Sequence, residues 1–443
     1  MRQSSQLAPA QRILPFSTQA ARSSETPKLR LQRAGPPETV AALDIGSSKI
    51  TCVIAQAEDD LLKVCSLAIE PSRGVERGEV KDLDQVADAA RAAVIRAQSE
   101  ARMPCDRFFV GVAGKDSQGR NSRGSVMVAK ENHVITDKHV RQALNAARNI
   151  SLPSDRQIID SVPQSFAVDN SAGIRNPTGM TGSRLDAEVY LATESVNCIR
   201  NIISCLKAVG CRHEGLLFEP FASAEAVLTE DEKDLGAVQI DIGEGTMDIA
   251  VYYAGGPRFT RVLPVGGGHI ARDVAVGLGI TLDAARELVH ARGAAYESIL
   301  DPHEAKQEFD VPAAEGGEAC ACSAGKLCFI IESRVGEMLE IARKEIRRAG
   351  LNGHGTRVVL TGGTALLKGI AKKAQQVFGT HARIGRPKIY TDHPELCDNP
   401  AYATAVGLLV YGVKMRRVVE KEQRHPVVSV AASSYKWLRE FFF

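Results

Sequence analysis

The sequence predicts an α/β fold of mixed sheets with helices packed outside, arranged as two similar halves that face one another across a cleft. Three observations carry this prediction. An apolar strand ending in Leu43-Asp44-Ile45-Gly46 opens a Gly/Ser hairpin, and Ile240-Asp241-Ile242-Gly243 repeats the pattern in the second half. Each of these hairpins leads into two further strand-like runs and then into helices. A separate strand, Gly-Gly turn and helix follows at residues 358–370.

The elements follow in order. Residues 1–38 carry Arg2, Arg12, Arg22, Lys28, Arg30 and Arg33 against only Glu25 and Glu38, with no apolar periodicity. A disordered basic extension is expected there; an organelle transit peptide, similarly Arg-rich and acid-poor, is the alternative. Strands are expected at 40–45, 49–56 and 61–69, punctuated by Gly46-Ser47-Ser48 and by Asp59-Asp60. Leu83, Val86, Ala90, Ala93, Val94 and Ala97 stand at helical spacing and predict a helix over 82–101. A strand follows at 107–113, then a helix at 137–149 capped by Thr136, and a strand-rich stretch at 155–169. A helix over 194–209 is stopped by Gly210. The second half repeats the opening with strands at 237–243, 246–253 and 258–265, and helices at 268–278 and 283–291. Residues 304–322 are acidic and rich in Gly and Ala, and give no assignment. A long helix is expected at 326–348, a strand at 357–360, and helices at 365–378 and 399–418.

Composition narrows the class. A chain of 443 residues is long enough for about three domains of ~150 residues, or two large ones with subdomains. It is 44% hydrophobic and 24% charged, ordinary values for a chain with a large core. A net charge of +2, from 55 basic and 53 acidic residues, gives no global field to attract nucleic acid, and no nucleic-acid partner is expected. The ten cysteines are scattered and read as reduced thiols rather than a disulfide scaffold. Cys320, Cys322 and Cys328 lack a fourth Cys or His at ligand spacing, so no metal cluster is expected. The apolar stretch 401–413 is shorter than the ~20 residues a membrane-spanning helix needs, and reads as a buried helix.

The hairpins carry the chemistry. In the first, Asp44 at a strand end can order the water shell of Mg²⁺, which takes few protein ligands. Gly46 lets the backbone approach a phosphate closely, and the N–H groups and hydroxyls of Ser47 and Ser48 can donate to it. Lys49 adds a point charge. Taken alone, this hairpin reads more readily as a strand ending in an ordinary turn. The second hairpin repeats it, with Asp241, Gly243, Gly245 and Thr246 in the corresponding roles, and two such hairpins in one chain are hard to ascribe to accident. Gly362 and Gly363, in the third element, would let backbone lie against a flat base or ribose, with the following helix N-terminus facing phosphate.

Five aromatic residues, including the only Trp, fall in the last nine positions: Tyr435, Trp437, Phe441, Phe442 and Phe443. On a helix over 433–443, Tyr435, Leu438 and Phe442 share a face with Trp437 and Phe441, while Lys436, Arg439 and Glu440 lie opposite. Its roughly 16 Å length suits a helix lying in the headgroup plane of an anionic membrane. A tail docked on its own domain is the alternative. A single weak anchor of this kind would hold lastingly only in several copies, which suits a polymer.

Together the three glycine-rich elements resemble the actin-like ATPase superfamily, whose fold is ribonuclease H-like. The superfamily's two hinge elements are matched by residues 262–268 (VLPVGGG) and 399–411 (NPAYATAVGLLVY). Within the superfamily the chain resembles the FtsA family of bacterial cell-division proteins. A block over 73–173 follows the opening strands, and its start, GVERGEVKDLDQ, resembles the subdomain specific to that family. Residues 216–228 (LLFEPFASAEAVL) resemble the segment in which a Glu near the γ-phosphate orients water, which carries over to Glu219.

The resemblance implies a two-domain ATPase fold with an FtsA-type inserted subdomain and a C-terminal amphipathic helix. Its subdomains would be 39–72 with 174–230 (1A), 73–173 (1C), 231–265 with 352–415 (2A) and 266–351 (2B), followed by a linker over 416–432. ATP would sit between the halves, with Mg²⁺ organised through water by Asp44 and Asp241. Glu219 and Asp241 would be the catalytic residues of an at most slow ATPase. The protein would polymerise at the inner face of the cytoplasmic membrane at the division site. There it would hold the C-terminal peptide of FtsZ, with Arg334 as a contact, and help recruit later divisome proteins. Glu244, Met247, Arg286 and Val289 depart from the family's pattern around the nucleotide. A sugar-type small-molecule kinase and another actin-like scaffold, such as a pilus-assembly ATPase, are the rival readings.

Overall fold

The computed structural model describes residues 38–58, 61–128, 133–311, 320–351, 357–391, 396 and 398–424. The expected tail helix, with Tyr435, Trp437, Leu438, Phe441 and Phe442, lies outside the described residues, as does the N-terminal extension up to residue 37.

The first half opens with an antiparallel meander, β1 (Glu38–Ile45), β2 (Lys49–Glu58) and β3 (Leu61–Pro71). Val40 to Leu43 are all fully buried, as a strand covered on both faces requires. Helix α1 (Leu83–Ala101) is capped by Asp82, whose carboxylate accepts from the Gln85 N–H, and it buries Val86, Ala90, Ala93, Val94 and Ala97 as their spacing predicts. Strand β4 (Arg107–Val112) then pairs parallel to β1.

An inserted layer follows: β5 (Gln118–Met127), α2 (Asp137–Arg148), β6 (Arg156–Val168), β7 (Ser171–Ile174) and β8 (Arg184–Ser195). It has its own core, which includes Val140, Leu144, Phe166, Leu185 and Leu191. The chain returns to the first half through α3 (Val196–Val209), β9 (Arg212–Phe218), α4 (Glu219–Val227) and α5 (Glu230–Leu235). The helix expected from residue 194 begins instead at Val196. The strand β8 runs to Ser195, and the Ser195 hydroxyl caps the helix by accepting from the Cys198 N–H.

The second half is built from β10 (Ala237–Ile242), β11 (Met247–Tyr253), β12 (Gly256–Leu263), α6 (Gly267–Leu278), α7 (Leu282–Arg292), α8 (Ala324–Arg348), β13 (Arg357–Thr361), α9 (Ile370–Phe378) and β14 (His381–Ile384). The helix expected over 365–378 is shortened. A 3₁₀ turn occupies Gly363–Leu366, and α9 starts only after Gly369. Helix α10 (Ala403–Arg424) closes the described chain.

The duplication read from the hairpins is a duplication of topology. The first sheet runs β9-β4-β1-β2-β3, with a short strand at Tyr390–Thr391 beside β3. The second runs β14-β13-β10-β11-β12. In each, a meander is extended on its first strand by two parallel strands. The second sheet continues through the single register pair Arg261↔Gln118 into the inserted strands β5-β8-β6-β7.

Helix α10 ties these parts together. Its Gly407 lies so close to α4 that a Cβ there would come 1.8 Å from the Ala222 carbonyl oxygen. Further along, the Tyr411 hydroxyl donates to both carboxylate oxygens of Asp160 on β6, at 3.1 and 3.0 Å. Asp160 is fully buried and also accepts from the Ser161 N–H at 2.7 Å. Burial raises its carboxyl to about 6, against the opposing pull of Tyr411, Ser161 and the nearby Arg148. The folded state therefore holds this proton more tightly than the unfolded chain. The stability this supplies is present at low pH and lost as pH rises through 6. Asp160→Asn should remove roughly 2 kcal/mol of the stability gained between pH 7 and pH 4.5. Urea unfolding of both proteins at the two pH values checks this, and parallel pH dependences would contradict it.

Candidate functional site

The two halves present matching hairpins to a shared cleft. In the first, the Gly46 N–H donates to the Lys49 carbonyl at 3.1 Å; in the second, the Gly243 N–H donates to the Thr246 carbonyl at 3.0 Å. The flanking pairs Ile45↔Ile50 and Ile242↔Met247 set the same register, so Asp44 pairs across the sheet with Thr51 and Asp241 with Asp248. The hairpin tips nearly touch: a Cβ on Gly245 would lie 2.5 Å from Ser47 Oγ and 3.0 Å from the Arg77 backbone. Ser47 is pinned in turn, its hydroxyl accepting from the Gly78 N–H at 3.1 Å.

The third element closes the side of the cleft. Gly362 has φ +84°, and a Cβ there would lie 2.3 Å from Asp241 Oδ1, so this position excludes any side chain. Its N–H donates to the Pro400 carbonyl, while the Thr364 hydroxyl donates to the Gly243 carbonyl at 3.2 Å. On the floor, β9 hands over to α4 at Glu219, the first helical residue, where a carboxylate is favoured by the helix dipole. Gly111 on β4 leaves room for it, since a Cβ would come 2.8 Å from both Cγ and Oε1 of Glu219.

The cavity encloses about 820 Å³, counting the part open to solvent. Asp44, Gly46, Ser47, Ser48, Lys49, Glu219, Asp241, Gly243, Gly245, Thr246, Gly362 and Gly363 all line it. Sequence reasoning missed Asp248, Thr364, Pro400, Ala401 and Thr404, which line it too. Asp248 had a readable signal, a charged residue inside the apolar run of β11. Thr404 did not: its role depends on α10 returning to the cleft, where its hydroxyl donates to Asp241 Oδ2 at 3.1 Å.

The electrostatics are those of an under-compensated acidic site. Burial raises Asp44 to about 6, opposed by Lys49. Burial also raises Asp241 to about 6, with Asp44 adding to the rise and the Thr404 hydrogen bond opposing it. Glu219 and Asp248 are pushed well above the usual carboxylate range by burial and then by neighbouring carboxylates. Lys49 is the basic side chain among the lining residues; its ammonium sits 4.0 Å from the Tyr402 ring centroid, and burial lowers its pKa. The buried Oδ1 of Asp248 has no hydrogen-bond partner among the described residues.

This donor set fits a hydrated magnesium nucleotide. A divalent cation would relieve the crowded carboxylates, the glycine cradle leaves room for phosphate, and Asp248 offers an unused acceptor. Among the described residues no three acidic, His or Cys side chains converge to hold a metal directly. A Mg²⁺ here would take its inner ligands from phosphate and water.

The remaining expected residues lie elsewhere. Glu244 lines the cleft, but its Oε1 is 3.3 Å from Arg286 Nε on α7. Arg286 and Val289 do not themselves line the cavity, and Val289 packs on the second core. Arg334 on α8 is bound within its own chain to Asp273 and Glu337, with about a quarter of its side chain exposed (27%). Among the described residues no helix is long and apolar enough to cross a membrane.

Comparison with known proteins gives a consistent result. Residues 238–407 match the family described as "Cell division protein FtsA", and residues 114–193 match "SHS2 domain inserted in FTSA". The chain is 32% identical over 398 residues to the cell division protein FtsA of Pseudomonas aeruginosa, covering 89% of this chain and 93% of that protein. Among solved structures it resembles a chain of the PilM-PilN type IV pilus biogenesis complex, with TM-score 0.60 at 17% identity, covering 85% of this chain and 99% of that one. MreB5 of Spiroplasma citri bound to ADP is also similar, with TM-score 0.53 at 12% identity, covering 86% and 98%. At those identities the likeness is one of fold, and the fold is actin-like.

Proposed function

Because this chain belongs to the FtsA family of cell-division proteins, we propose that it binds Mg-ATP between its halves, polymerises on the cytoplasmic membrane at the division site, and tethers FtsZ there. The observation that carries this reading is the cleft, where two matching hairpins and a Gly-Gly turn surround the crowded carboxylates of Asp44, Glu219, Asp241 and Asp248 and one lysine. Gly46, Ser47, Ser48, Lys49, Gly243, Gly245 and Thr246 would hold the phosphates, and Gly362-Gly363 would face the base or ribose. Asp44 and Asp241 would order the water shell of Mg²⁺, which when bound would neutralise phosphate charge. Glu219 would position a water for attack in an at most slow hydrolysis. The MreB5 relative with bound ADP supports nucleotide in a fold of this kind.

The tether itself rests on the sequence of residues 433–443. Tyr435, Trp437, Leu438, Phe441 and Phe442 would lie in the headgroup plane, and polymerisation would multiply this weak anchor. The FtsZ C-terminal peptide would meet the second half near Arg334, exchanging with Asp273 and Glu337 for the guanidinium. Later divisome proteins would join the assembled polymer.

Co-sedimentation with anionic vesicles tests the tether. The full-length chain should pellet with vesicles, and a version ending at Pro426 should stay in the supernatant. Equal recovery of the two in the pellet would remove the tail as the anchor.

A further inference from the structure

The second hairpin carries a charge that its counterpart lacks. The matched registers of the two hairpins place Glu244 where the first hairpin has the hydroxyl of Ser47. Glu244 lines a cleft that already contains Asp44, Glu219, Asp241 and Asp248. Turned inward, a further carboxylate would repel the phosphates of any nucleotide held between the hairpins, at close range and partly shielded from water.

The side chain is held by specific contacts on its own half of the molecule. Its Oε1 lies 3.3 Å from Arg286 Nε, and Arg286 is braced from its other end by Asp283, which accepts from Nη1 at 3.0 Å. The same oxygen packs over the first turn of α6: a Cβ on Gly268 would lie 3.1 Å from it, and the Gly268 N–H donates to the Glu244 carbonyl at 2.9 Å. The first turn of a 12-residue helix and a guanidinium therefore both meet the carboxylate, and each favours its negative charge where it lies. Arg286 does not line the cavity itself but contacts Glu244, which does.

We infer that Arg286 is a positioning residue for nucleotide binding: it holds the Glu244 carboxylate off the phosphate region and so sets the affinity for the polyphosphate of a nucleoside triphosphate. The inference rests on the nucleotide reading of the cleft. It deepens that reading by assigning a role to two residues outside the phosphate cradle. A merely structural ion pair would stabilise the fold without regard to the number of phosphates on a ligand. This pair acts on charge, so its loss should be felt most by ATP, less by ADP, and not at all by adenosine.

The test is a calorimetric cycle on the full-length chain with Mg-ATP, Mg-ADP and adenosine as probes. Arg286→Ala should weaken Mg-ATP about tenfold, with a smaller loss for Mg-ADP. Glu244→Gln placed in the same chain should restore the Mg-ATP affinity to near that of the wild type. Arg286→Lys, which keeps the charge, should lose less than Arg286→Ala. An Arg286→Ala protein that binds Mg-ATP like the wild type would overturn the inference, as would a double variant no better than the single one. Equal weakening for all three probes would also overturn it. If the wild-type chain binds neither Mg-ATP nor Mg-ADP, the nucleotide reading of the cleft is what fails.

Discussion

Replacing Asp241 with alanine should abolish nucleotide-dependent assembly and lower Mg-ATP affinity by roughly 10- to 100-fold, the range typical of lost outer-sphere metal partners. Asp241 joins three elements at one point. It is the penultimate residue of β10, accepts from Thr404 on α10, and its Oδ1 lies against the Gly362 turn. Any water shell it orders is therefore fixed relative to all three walls of the cleft. The variant should fold, because removing a buried carboxylate whose pKa is raised to about 6 takes away an unfavourable group in the empty protein. Calorimetry with Mg-ATP and light scattering of assembly separate the two effects. Unchanged assembly in Asp241→Ala would show that the cleft is not the switch.

Gly407→Val should cost at least 3 kcal/mol of stability, about the upper end of ordinary overpacking. The reason is the partner atom. A Cβ at residue 407 would lie 1.8 Å from the Ala222 carbonyl oxygen and 2.3 Å from its carbon, and main-chain atoms cannot rotate aside as a side chain can. Relief requires α10 to move off α4. The consequence reaches the site, since α4 begins with Glu219 and α10 carries Thr404. The expected result in urea unfolding is a lower midpoint with an unchanged slope, together with weaker Mg-ATP binding in the folded protein. A midpoint equal to the wild type would contradict the close crossing.

The cleft was largely legible in the sequence because its chemistry is local. Asp44 to Lys49 and Asp241 to Thr246 are each contiguous, and glycine spacing marks a backbone that must approach something closely. The small residues of 399–411 are equally local, and among them Gly407 makes the tight helix crossing against Ala222. Elements that depend on distant partners were not legible. Strand β5, QGRNSRGSVM, has no apolar alternation; it is a strand because β8 pairs with it along its whole length, joined on its other edge by a single pair from β12. Glu194 read as the start of a helix, yet it is fully buried at the end of β8 and accepts from the Gly114 and Ser195 N–H groups. Asp160 and Tyr411 are far apart in sequence and meet only because α10 crosses the inserted layer. The FtsA resemblance read from the motifs is borne out by family matches and by identity over most of the chain.

Calorimetric titration of Mg-ATP into the wild-type chain tests the central claim most directly, because every role assigned to the hairpins depends on a nucleotide entering between them. Saturable binding to one site per chain is expected, weakened by removal of Mg²⁺ and by Asp241→Ala. No heat of binding with Mg-ATP or Mg-ADP would contradict it, and would leave the actin-like halves as a scaffold without a nucleotide switch.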